Sequence, residues 1–149
     1  MGVDARIGRR AARLVAGICL AVSVFQAALA LGAPLGWMAW GGASAVLPGN
    51  LRAASAAAAV FLVLAAAAML VRAGDLARRW PALPFRIFSA VLALQLALNT
   101  AANLAGRSPA ERYGMGAVTA VGCLAALLAA LAPARLRPAP APAVPPAAG

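Results

Sequence analysis

The chain has 149 residues, 64% of them apolar and only 11% charged, with 13 cationic residues, 3 acidic ones, no His and a net charge of +10. A soluble domain carries about a quarter charged and just under half apolar residues, and a chain this short cannot hide the excess in one core, so a water-soluble globule is excluded. Every cation is Arg; without His or Lys the chain lacks the commonest general base and metal ligand, the Schiff-base amine and the P-loop lysine.

The first predicted element is a basic cytoplasmic N-terminus over residues 1–11, leading into an apolar span over 12–31. Crossing about 30 Å of hydrocarbon takes about 20 helical residues, and the run is dominated by Ala and Leu, so the span reads as a helix. Basic residues, an apolar run and the ending Ala28-Leu29-Ala30 also fit a cleavable signal peptide. The run is longer than a signal core and reaches Leu31 without a polar c-region, so a retained span is the reading taken. Ser23 and Gln26, three apart, share one face of it.

Residues 32–50 form the first connection: too apolar for a solvated loop, too broken by Gly and Pro for a span. It reads as a loop folded back over the helix ends, laying Trp37 and Trp40 over the polar groups below. The second span covers 51–71, with Arg52 just inside it. A basic connection with Arg72, Arg78, Arg79 and Arg86 leads to the third span, 85–106.

The third span carries Gln95, Asn99 and Asn103 at four-residue spacing, hence along one helical face. Polar side chains inside a membrane are expensive and mark packing or function. These amides are expected to join an inter-helix hydrogen-bond network or to line a ligand pocket. Together with Gln26, Arg52 and the tryptophan loop they outline a small outward-facing pocket.

Ser108-Pro109-Ala110-Glu111 has the form of a capping box opening the fourth span, 109–131, with Ser108 as N-cap and Glu111 at the third position. Glu111 is also the one acidic residue on that side, so an ion pair with Arg52 or Arg112 is a second expectation. The bundle as a whole is assigned to residues 12–134. Residues 135–149, rich in Pro and Ala, read as a disordered cytoplasmic tail.

Arginines set the orientation. Arg6, Arg9, Arg10, Arg13, Arg72, Arg78, Arg79, Arg86, Arg135 and Arg137 fall on one side, and Arg52, Arg107 and Arg112 on the other. That bias places both termini in the cytoplasm, with Trp37, Trp40 and Tyr113 at the outer interface and Trp80 at the inner one. Because the cations sit at the ends of apolar runs, the charge is a topology code and not a nucleic-acid surface.

Small residues at helical spacing mark contact faces in lipid. Ser89, Ala93, Ala97, Ala101 and Ala105 form such a stripe in span three, Gly122, Ala126 and Ala130 in span four, and Ala54, Ser55, Ala58 and Ala59 in span two. Cys19 and Cys123 lie inside spans and read as apolar fillers. Asp4, Asp75 and Glu111 all sit outside the spans or at their rim, which argues against the proton-coupled chemistry of small four-span multidrug exporters, built on a membrane-embedded Glu. No nucleophile–base pair or metal-ligand set can be assembled, so neither an enzyme nor a cofactor is expected.

The run Leu31-Gly32-Ala33-Pro34-Leu35-Gly36, then Trp40-Gly41-Gly42, Leu47-Pro48, Leu51-Arg52 and Ser55, with Leu98-Asn99 and the Ser108, Glu111, Arg112 element, resembles a family of uncharacterised four-span bacterial inner-membrane proteins. The resemblance covers roughly residues 26–113 and implies topology and a motif set, not a reaction. The expected architecture is an all-α membrane protein, a four-helix antiparallel transmembrane bundle in the bacterial cytoplasmic membrane. Its expected role is a non-enzymatic binding, sensing or accessory subunit, with the lipid bilayer and a membrane-protein partner or second copy as partners. The alternative is a small oligomeric transporter or facilitator subunit.

Overall fold

Ala-rich apolar runs in the computed structural model, which describes residues 3–77 and 80–133, form helices and no strands among the described residues. They are α1 (Ala5–Ala30), α2 (Gly49–Ala73), α3 (Ala82–Leu104) and α4 (Gly116–Leu131), the last preceded without a break by a π-helical turn, Ala110–Met115. The four resulting helices of 26, 25, 23 and 22 residues are long and apolar enough to cross a membrane. At 1.5 Å per residue even the shortest spans about 33 Å. The chain is an all-α, multi-pass four-helix bundle. The tail at 135–149 and the arginines at 78, 79, 135 and 137 lie outside the described residues.

Helix α1 starts at Ala5, seven residues before its apolar run, because the Asp4 side chain accepts from the Arg6 backbone N–H and caps it. Apolar length marks where lipid begins, not where the helix does. α2 ends at Gly74, whose φ of +80° is the left-handed conformation of a helix C-cap. α3 starts after Pro81 and carries Pro84 in its first turn, where backbone donors are free in any helix.

The packing is uneven. α1 lies along α2, α3 along α4, and α1 against α4, whereas α2 and α3 touch only briefly. One end of the bundle holds the N-terminus, the α2–α3 connection and the end of α4; it is called the terminal end. The other, with the α1–α2 and α3–α4 connections, is the hairpin end. The main core (Ala12, Val15, Cys19, Ala66, Met69, Leu92, Ala126 and neighbours) fills the terminal half and middle. Its alanines let backbones approach closely, the packing that holds helices together where lipid removes the hydrophobic drive. At Gly8 an added Cβ would collide with the Ala132 side chain, so glycine there lets α1 seat on the end of α4.

Arginines close the terminal end. Arg72 Nη2 donates to the carbonyls of Ala129 (2.6 Å) and Ala132 (2.8 Å), and Arg86 Nε to that of Ala130 (3.2 Å). These acceptors belong to the last turn of α4, which has no intrahelical donors left. Arg13 forms a two-pronged ion pair with Asp75, at 2.8 and 2.7 Å. The terminal arginines therefore tie helices together as well as marking a side.

The small-residue stripes fare differently. Gly122, Ala126 and Ala130 are buried, as is Ser55. In α3, Ser89 and Ala93 are buried, but Ala97, Ala101 and Ala105 are exposed, which corrects the expectation of one continuous contact face. α3 meets α2 near Ser89, whose hydroxyl lies 3.5 Å from Met69 Sδ, and the two helices diverge toward the hairpin end.

Candidate functional site

Divergence of α2 from α3 leaves a cleft of about 800 Å³ in the hairpin half. That size suits a small-molecule site. Its walls are apolar, with Ile18 and Val22 of α1, Phe61 and Leu62 of α2, and Leu92 and Leu96 of α3. Toward the hairpin end the lining turns polar, through Gln26, Gln95, Asn99, Asn103, Thr119, Arg107 and Glu111.

The roof is the first connection, anchored by Leu29, Ala39 and Leu47, which bury one another against Phe25, Leu35 and Leu51. Trp40, Gly41 and Gly42 have φ of +55°, +85° and +68°, three consecutive left-handed residues that turn the chain back over the bundle. For Trp40 this conformation costs about 1 kcal/mol or more. It is offset by packing and by the indole N–H, which donates to the fully buried Ser55 hydroxyl at 3.0 Å. The folded-back loop and the placement of Trp40 on the cleft agree with the sequence reading. Trp37 is nearly half exposed and does not line the cleft.

Glu111 is 5% exposed. Its Oε1 accepts from the Gly41 backbone N–H at 3.0 Å, tying the roof to the π-turn. Its Oε2 is buried and has no hydrogen-bond partner among the described residues. Gly106 makes room for it, since a Cβ there would stand 2.6 Å from Oε2. The capping box does not form: no side chain caps this helix start, and the carboxylate reaches across to Gly41 instead. The π-turn aims it there, as such distortions often do at functional sites.

Neither expected ion pair forms among the described residues. Arg52 Nε donates to the Ala30 carbonyl at 2.9 Å, beneath Gly32, and so closes the end of α1. Arg112 Nη2 donates to the Gly106 carbonyl at 3.1 Å. Carbonyls left over at helix ends draw both guanidinium groups away from Glu111. Neither arginine lines the cleft.

The amide stripe divides. Asn103 Nδ2 approaches Thr119 Oγ1 at 3.4 Å, and Thr100 and Thr119 hydroxyls lie 2.9 Å apart, a polar seam between α3 and α4. Gln95 Nε2 donates to Asn99 Oδ1 at 3.1 Å, and these two exposed amides line the cleft where α2 has moved away. In α1 the Ser23 hydroxyl donates to the Ala59 carbonyl at 2.9 Å, while Gln26 Oε1 is buried without a partner among the described residues.

Of the nine residues singled out from sequence, Gln26, Trp40, Gln95, Asn99, Asn103 and Glu111 line one cleft, and Trp37, Arg52 and Arg112 do not. Arg107, grouped from sequence with Arg52 and Arg112 on the outer side, and Thr119, a polar residue of the fourth span, line the cleft as well; sequence reasoning missed Met115 as lining and the Gly41 N–H as the carboxylate's partner. The Gly41-Gly42 pair was the available signal, since adjacent glycines allow a backbone to approach another element closely. No protein-family model, curated protein or solved structure matches this chain.

Proposed function

We propose that this chain is a non-enzymatic binding, sensing or accessory protein of the bacterial cytoplasmic membrane, one that takes a small amphiphile into the cleft between α2 and α3. The observation that carries this reading is the cleft itself, with apolar walls that turn polar toward one end. A molecule with one apolar and one polar end matches that gradient, and the gap between α2 and α3 gives it a sideways entry from lipid.

Binding is tested with Trp40 as the reporter. In a Trp37→Phe, Trp80→Phe background it is the one tryptophan left. In phosphatidylcholine nanodiscs, dodecanol brominated in the part of its chain nearest the hydroxyl should quench Trp40 saturably. Ala102→Phe, which places a ring on the cleft lining, should weaken that quenching about tenfold. Quenching that never saturates and ignores Ala102→Phe is simple partition into the bilayer, and would overturn the reading.

The arginine bias puts the terminal end in the cytoplasm and the cleft in the outer half. Alkaline phosphatase should accordingly be active when inserted at Ser44 and silent when fused after Gly149. The opposite pattern sinks the orientation.

A second reading is a small oligomeric transporter or facilitator subunit. It is favoured by Ala97, Ala101 and Ala105, a smooth exposed face beside the cleft on which a second copy could pack. A strict monomer by mass in nanodiscs argues for the first reading, and a defined oligomer for the second.

A further inference from the structure

We propose that the cleft selects an amphiphile whose polar end is a primary ammonium group, with Glu111 as the residue that recognises it. This rests on the reading of the cleft as a binding site and names the chemistry of its ligand.

Two buried side-chain atoms of residues that line the cleft lack a hydrogen-bond partner among the described residues, Gln26 Oε1 and Glu111 Oε2. Both are acceptors. Burying a carboxylate with a single backbone donor is expensive, and the cost falls when a cation and further donors reach it. Arg52 and Arg112, the cations expected to do so, are held by the carbonyls of Ala30 and Gly106. The unmet requirement at the polar end of the cleft is therefore for donors carrying positive charge.

A primary ammonium meets it, with three N–H donors and one charge on a compact group. An alcohol offers one donor and no charge. A carboxylate or sulfate would bring only acceptors to Glu111 Oε2 and Gln26 Oε1, the two atoms that lack donors. From Leu92 to Asn103 the α3 wall runs about 16 Å, room for a medium alkyl chain lying along it. Arg107 lines the same cleft with its side chain exposed. That position suits the phosphate that accompanies the ammonium group in an aminophospholipid.

The test compares dodecylamine, protonated at neutral pH, with dodecanol in the Trp40 quenching measurement, each brominated in the part of the chain nearest its polar end, which lies beside Trp40 when that end is at Glu111. The ammonium probe should saturate at concentrations about tenfold or more below the alcohol, as a charge-assisted bond in a buried site demands. Glu111→Gln should erase the difference between the two probes. Equal binding of both probes by the native side chain overturns the ammonium assignment but leaves the binding site standing, and does so even where the variant fails to fold. A preference that survives in Glu111→Gln also overturns it. Absence of saturable quenching by either probe removes the binding reading itself. The natural source is settled by adding phosphatidylethanolamine to the nanodisc. Competition with the ammonium probe marks a lipid headgroup, and undiminished probe binding marks a free amphiphilic amine.

Discussion

Arg72→Leu should destabilise the bundle by about 3 kcal/mol, measured as a shift in SDS-induced unfolding in mixed micelles. The Arg72 guanidinium donates to the carbonyls of Ala129 and Ala132, both on buried residues. A buried polar group left without its partner costs about 1–3 kcal/mol, and this substitution strands two of them. Water reaches neither readily, because α1 covers the same turn through Gly8 and Ala132. Arg72→Lys should recover part of the loss, since one nitrogen, Nη2, serves both carbonyls and an ammonium also carries several donors, but on a shorter side chain with a different approach. Arg86→Leu removes one longer bond, of 3.2 Å, and should cost less. Arg13 supplies the control: its pair with Asp75 is exposed, and Arg13→Leu should move the unfolding midpoint little. Equal midpoints for Arg72→Leu and Arg13→Leu would reduce Arg72 to an orientation signal. Orientation should survive in both variants, because other arginines remain at that end.

Arg72 also shows where sequence reasoning stops. Counting arginines beside apolar runs gives their side of the bundle without saying what each one touches. A guanidinium near a helix end can pair with an acid, cap a carbonyl or reach for a headgroup, and these options look alike in one dimension. Arg52 and Arg112 both take a carbonyl where an acid was expected, and Glu111 takes a backbone N–H seventy positions away. The four spans were legible because length and apolarity are local properties. So was the alignment of Gln26, Gln95, Asn99 and Asn103 with one cleft, since polar residues in a span have few places to go. The divergence of α2 from α3 was not legible. Ala repeats along every helix, so a small-residue stripe predicts close packing equally well where it occurs, at Ser89 and Ala93, and where it does not, at Ala97 and Ala101. The cleft exists because of that divergence, so its position came only from the three-dimensional arrangement.

Gly106→Ala should cost about 2 kcal/mol and weaken saturable quenching of Trp40 by the dodecyl probes at least tenfold. Gly106 is not among the residues with positive φ, so an alanine backbone fits there without strain. The penalty comes from space. The added methyl would stand 2.6 Å from Glu111 Oε2, 2.9 Å from Glu111 Cδ and 2.9 Å from the Asn103 carbonyl oxygen. A carboxylate can swing aside where a helix carbonyl cannot, so Glu111 should be driven off the Gly41 N–H. The roof then loses its tie to the π-turn, and the unpartnered acceptor at the polar end of the cleft moves. Glu111→Asp shortens the side chain by one methylene, so the double variant Gly106→Ala, Glu111→Asp should recover about 1 kcal/mol of coupling energy in a double-mutant cycle. Gly114→Ala is the matched control in the same turn, since a Cβ there meets nothing within 4 Å, and it should be neutral in both assays. If Gly106→Ala unfolds and binds as the native chain does, the carboxylate does not depend on the space beside Gly106, and the polar end of the cleft is built differently.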